Sequence, residues 1–171
     1  MMINEKKCNA IMDMEHPIIC INRSVSPKYP DFVKKLANPE LELQGPTSFL
    51  VTKLSLWLHP IQEGKLKAVA YDEERDDAAR GYDIYKYLEK NKMLESCCNL
   101  VDLKAIQDRG IVFFRKYFAK KFVFGWGSVV VDNRGYLVPY LYTDSVRVKL
   151  GWRYLSDYFV FRDFALLMLR N

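Results

Sequence analysis

The stretch KFVFGWGSVVVDNRGYLVPYLYTDSVRVKLGW, from Lys121 to Trp152, decides the fold class, because its apolar residues keep a period of two across three successive segments. In 122–131, Phe122, Phe124, Trp126, Ser128 and Val130 share one side of a pleat, while Val123, Gly125, Gly127, Val129 and Val131 share the other. Asp132-Asn133-Arg134-Gly135 follows, with residue types that tolerate the positive φ of a hairpin connection. Residues 136–142 alternate again. A third strand over 145–152 sends Val146, Val148, Leu150 and Trp152 one way and Arg147 and Lys149 the other. The expectation is a meander with one core face and one wet face.

Upstream, the period changes. Asn99 is an N-cap candidate, Asp102 sits near the positive end of the dipole, and Leu103, Ile106, Gly110, Phe113, Phe114 and Tyr117 form an apolar stripe. This predicts one long helix over 99–120 lying across the meander, with Arg109, Lys116 and Lys120 along one flank. Ile84, Tyr85 and Leu88 place a second helix at 82–90. Thr47 or Ser48 caps a third predicted helix running to Leu58, although Leu50, Leu54, Leu56 and Leu58 also fit a strand. From Arg23 to Pro46, the prolines at 27, 30, 39 and 46 cut the chain into turns around a brief helix at 31–37. Short strands are expected at 17–22 and 65–70, followed by a charge cluster at 71–80. Helices first and consecutive strands last predict an α+β fold, an antiparallel C-terminal β-meander of three or more strands packed against a layer of helices, in one domain of 171 residues.

Half of the residues are hydrophobic and 14% are aromatic, so a core forms without metal or disulfide support. A chain of this length buries roughly 70% of the surface it exposes when unfolded. The net charge of +5 permits an anionic partner and is far below that of a DNA-coating protein. Cys8, Cys20, Cys97 and Cys98 contain no C-x-x-C spacing and read as reduced thiols. No leader-like apolar run follows the N-terminal charges, and the apolar run at 158–169 carries Arg162 and Asp163. A soluble, cytoplasmic protein with no membrane contact is expected.

Phosphate-binding glycine loops and the nucleophile-elbow pattern are absent. His16 and His59 each precede a proline and would form an acid/base site only if the fold joined them to a carboxylate. Asp72, Glu73, Glu74, Asp76 and Asp77 offer oxygen ligands but lack the alternation and glycine of a calcium loop, and Arg75 and Arg80 offset their charge. Phe122, Phe124, Trp126, Tyr136, Tyr140 and Tyr142 supply stacking faces beside the cations Arg147 and Lys149, and Gly125 and Gly127 would admit a flat ligand. The expectation is therefore a non-catalytic binding domain using Arg109, Lys116, Lys120, Trp126, Tyr140, Arg147 and Lys149. Its partner is a protein or a single-stranded nucleic acid, and no metal, cofactor or catalytic residue is assigned. Two other readings stand beside it: an enzyme using His16 or His59, and a homo-oligomer packing through 158–169.

Overall fold

A computed structural model describes residues 17–58, 65, 78–119, 121–160 and 165–169 of the chain. In chain order its strands and helices are β1 (Ile18–Cys20), β2 (Lys35–Leu36), β3 (Ser48–Leu50), β4 (Ser55–Leu58), β5 (Ala78–Arg80), α1 (Gly81–Lys90), α2 (Leu100–Asp108) and α3 (Gly110–Phe118). Then follow β6 (Phe122–Phe124), β7 (Val130–Val131), β8 (Tyr136–Thr143), β9 (Val148–Tyr154), β10 (Tyr158–Val160) and β11 (Ala165–Leu169). The fold is α+β, and its C-terminal part is the antiparallel meander that the alternation predicts.

Among the described residues the main sheet has seven strands and is organised by β8. Along one edge β8 pairs with β9 over its full length, from Leu137 opposite Tyr154 to Thr143 opposite Val148. Along the other edge it meets β7 near its start and β6 further on. β2 extends the sheet beyond β7, while β11 and then β4 extend it beyond β6, with β11 parallel to β6. Two separate ribbons, β1 with β3 and β5 with β10, account for the other strand pairs among the described residues.

The first meander strand is broken, which the sequence does not anticipate. Between β6 and β7 the chain makes a tight turn at Trp126–Ser128. The start of α2 docks into that break: the Leu100 N–H donates to Ser128 Oγ at 2.7 Å, and a Cβ on Gly125 would stand 2.7 Å from the Leu103 side chain. A Cβ on Gly127 would come within 3.2 Å of the Cys98 carbonyl. The space at Gly125 is thus filled by Leu103 of α2 and that at Gly127 by the Cys97–Asn99 segment leading into it, and the expectation that a flat ligand approaches there is corrected.

The predicted 99–120 helix is also broken. Gly110 adopts φ +82, a left-handed conformation that ends α2 and re-aims α3. The start of α2 does follow the sequence reading. Asn99 Oδ1 accepts the Asp102 N–H at 3.1 Å and Asp102 accepts the Asn99 N–H at 2.9 Å, a reciprocal cap. The Arg23 guanidinium reaches Asp102 at 2.6 Å, and Asn99 donates to the carbonyls of Leu41 and Gln44. These bonds tie the proline-rich segment to the helix.

Two core clusters lie on opposite sides of the sheet. Leu103, Ile106, Phe113, Phe114 and Phe118 of α2 and α3 cover the face carrying Val123, Leu141 and Val148. Ile84 and Leu88 of α1, with Leu155 and Phe159, cover Phe124, Val138 and Trp126 on the other. The wet second face is therefore corrected: β5, α1 and β10 close over much of it. The helix predicted over 47–58 is instead β3, a single tight turn and β4, and the helix at 31–37 is a turn leading into β2. The expected strand at 17–22 and the helix at 82–90 are present as β1 and α1. The predicted strand over 145–152 starts later, at Val148, and Val146 is 74% exposed in the turn before it.

The expected reduced state fails at Cys20, which is disulfide-bonded, whereas Cys97 and Cys98 are buried thiols. No helix of the described residues is long and apolar enough to cross a membrane. His16, His59, Lys120 and the acidic residues at 72–77 lie outside the described residues.

Candidate binding surface

The β8–β9 register places Tyr142 opposite Lys149 and Tyr140 opposite Gly151. Directly paired residues share a face, so Tyr140, Tyr142 and Lys149 project from the same side of the sheet. Phe122 joins them from the neighbouring strand. Ring centroids lie 5.7 Å apart for Phe122 and Tyr140, 5.4 Å for Tyr140 and Tyr142, and 6.5 Å for Phe122 and Tyr142. All three rings are half-buried. Inward, Phe124 continues the series 5.3 Å from Tyr140 and leads to the fully buried Phe159 and Trp126. The surface rings are thus anchored on core rings, which fixes their orientation before any ligand arrives.

The β8–β9 hairpin turn supplies the charge. Asp144 organises it: one carboxylate oxygen accepts the N–H groups of Val146 and Arg147, each at 2.8 Å, and the other meets Lys149 Nζ at 2.8 Å. The Lys149 ammonium, followed by the two backbone donors, holds the Asp144 carboxyl well below the usual carboxylate range. Arg147 is exposed and has no ion-pair partner among the described residues. From the last turns of α3, Arg115 donates to the Ser145 carbonyl at 3.1 Å. Arg115, Phe122, Tyr142 and Thr143 line a recess of about 460 Å³ beside the turn. Burial pushes the Tyr140 phenol up, with Tyr142 adding to this and Arg153 opposing it, so the ring stays neutral at physiological pH.

The residues expected from the sequence divide. Tyr140 and Lys149 share one face of the hairpin, and Arg147 lies exposed in its turn. Trp126 is corrected: it is 0% exposed, because the turn after β6 folds its ring inward against Phe124 and Phe159, and it offers no surface. Arg109 is spent elsewhere, donating to the Ile18 carbonyl at 2.5 Å and covering the Phe113 ring at 4.2 Å. Lys116 is exposed with its ammonium 5.4 Å from the Tyr117 ring centroid. Arg115 is the residue that reaches the hairpin. No local signal marks Arg115, because its contact with Ser145 depends on how α3 packs beside the β8–β9 turn.

Chemically, the surface offers stacking faces, guanidinium groups and an ammonium. The one carboxylate it carries among the described residues, that of Asp144, is engaged by the turn and Lys149. Among the described residues no group of three or more histidines, cysteines or carboxylates is placed to hold a metal ion. Comparison with protein-family models, with curated proteins and with solved structures finds no match.

Proposed function

We propose that this chain is a non-catalytic binding domain whose β8–β9 hairpin face holds a single-stranded nucleic acid. The observation that carries the reading is the juxtaposition of three half-buried, mutually packed rings, Phe122, Tyr140 and Tyr142, with Arg115, Arg147 and Lys149 at one hairpin. Bases stack on such rings with little regard to sequence, and the cations take the phosphates. A protein partner would use the same aromatic and arginine side chains but would not need the excess of positive charge, three cations against the one carboxylate of Asp144.

A polarisation titration with a labelled single-stranded oligonucleotide separates the two. If three cations neutralise phosphates, the affinity falls roughly twentyfold between 50 and 200 mM salt, from a slope of about −0.7 per phosphate contact. No binding, or binding that salt leaves unchanged, rejects the nucleic-acid reading and turns attention to a protein partner. The enzyme reading rests on His16 and His59. The homo-oligomer reading draws less support, since Phe159 and Val160 are spent in the core and β11 is paired along both edges.

A cytoplasmic location is supported by Cys97 and Cys98, which stay thiols in the core, and opposed by the bonded Cys20. Thiol titration of the unreduced, denatured chain decides it. Four reactive thiols in freshly isolated protein favour the cytoplasm, and two favour an oxidising compartment.

A further inference from the structure

At the opposite corner of the sheet, α1 faces β2 and the start of β8 across a recess of about 380 Å³. One stripe of α1 lines it, since Tyr82, Tyr85, Lys86 and Glu89 follow helical spacing. Tyr136 of β8 packs edge-on against Tyr82 at 5.8 Å and lies 6.4 Å from Tyr85, so the rings form one continuous wall. Asn38 Nδ2 donates to the Tyr85 hydroxyl oxygen at 2.8 Å, leaving the phenolic proton to be donated outward. Burial pushes the Tyr85 phenol up, which keeps that proton in place. Lys35 from β2 and Lys86 from α1 border the recess on its two sides, and neither has an ion-pair partner among the described residues.

We propose that this recess binds a small ligand made of one flat ring and one phosphate, the class of nucleoside monophosphates and aryl phosphates. The tyrosine wall takes the ring. Lys35, Lys86 and the Tyr85 hydroxyl are three donors for the three terminal oxygens of a phosphate monoester. Glu89, one turn beyond Lys86, also lines the recess, and its carboxylate opposes each added negative charge, so the site favours a monophosphate over a triphosphate or a longer strand. This site is separate from the hairpin face and does not depend on the nucleic-acid reading.

Adenosine monophosphate is the probe, followed through backbone amide shifts of the whole chain, with adenosine and inorganic phosphate as reference ligands. Saturable shifts at 35–38 and 82–89, with adenosine monophosphate binding at least tenfold more tightly than either reference, support the proposal. Lys86→Ala then weakens binding about tenfold, the scale of one lost charge-assisted contact. Glu89→Gln tightens it severalfold, a gain that misfolding cannot mimic. The proposal is overturned by shifts confined to 144–147, by equal affinity for adenosine and its monophosphate, or by no saturable shift at millimolar ligand. A Glu89→Gln chain that binds no better, or worse, also overturns it.

Discussion

The ring of Tyr140 lies across the strand pair directly over Gly151, so closely that a Cβ at 151 would stand 2.8 Å from a ring carbon. Glycine at this position lets the ring lie flat on β9 and holds it against Phe122 and Tyr142. Gly151→Ala forces the ring outward, since its far end yields more readily than the backbone. The expected cost is about 1 kcal/mol, at the lower end of overpacking effects. The substitution also disturbs the surface rings. Chemical denaturation of Gly151→Ala, alone and combined with Tyr140→Leu, checks this, because the penalty disappears once the ring is gone.

The buried pair of Arg23 and Asp102 carries a larger load. Their side chains are 8% and 0% exposed, and Asp102 also closes the α2 cap. Arg23→Met leaves the carboxylate buried beside a hydrophobic side chain and is expected to destabilise by about 3–5 kcal/mol. Thermal unfolding measures it. Replacing both residues with apolar ones costs less than the sum of the single changes, since the double variant buries no unpaired charge.

Two backbone positions flank α3 with opposite expectations. Gly110, at φ +82 with open space around its Cα, becomes strained on substitution, and Gly110→Ala costs about 1–2 kcal/mol. Ala119 holds φ +51 and ψ −131, a conformation suited to glycine, and Ala119→Gly stabilises by about 1 kcal/mol. Denaturant midpoints moving in opposite directions are the signature.

The legible parts of the fold are those whose signals are local. Asn99 and Asp102 mark the start of α2 because a cap needs only neighbouring residues, and Ile84, Tyr85 and Leu88 mark α1 by spacing. Asp132-Asn133-Arg134-Gly135 marks its hairpin for the same reason: Asp132 accepts the N–H groups of Arg134 and Gly135. What was not legible depends on distant partners. Residues 48–58 fit helix and strand alike, and β1 and β11, remote in sequence, select the strands. Trp126 alternates correctly with Phe124 yet turns inward, because α2 and the Cys97–Asn99 segment before it fill the space at Gly125 and Gly127, where the strand breaks. Of the candidate surface, Tyr140 and Lys149 hold strand positions that alternation marks, whereas Arg147 lies in the turn before β9 and Arg115 reaches that turn only through the packing of α3.

Acid should loosen the hairpin in a defined window. The Asp144 carboxyl titrates well below its ordinary value in the folded chain, so its stabilising bonds are complete above the unfolded pKa of about 4. They weaken as pH falls below that value and are lost as pH passes through the depressed folded one. Asp144→Asn removes this contribution at neutral pH. The variant and the parent chain therefore converge in stability as the pH falls below about 4, which unfolding curves collected across that range record.

The central claim is that the rings and cations of the β8–β9 hairpin hold a single strand, and the dissociation constant of Tyr142→Leu for a labelled single-stranded oligonucleotide tests it most directly. Loss of one stacking partner, worth about 1–3 kcal/mol, predicts at least roughly fivefold weaker binding at a temperature where the variant, whose unfolding midpoint drops slightly with the lost ring packing, is fully folded. A variant that binds as tightly as the parent chain would contradict the account.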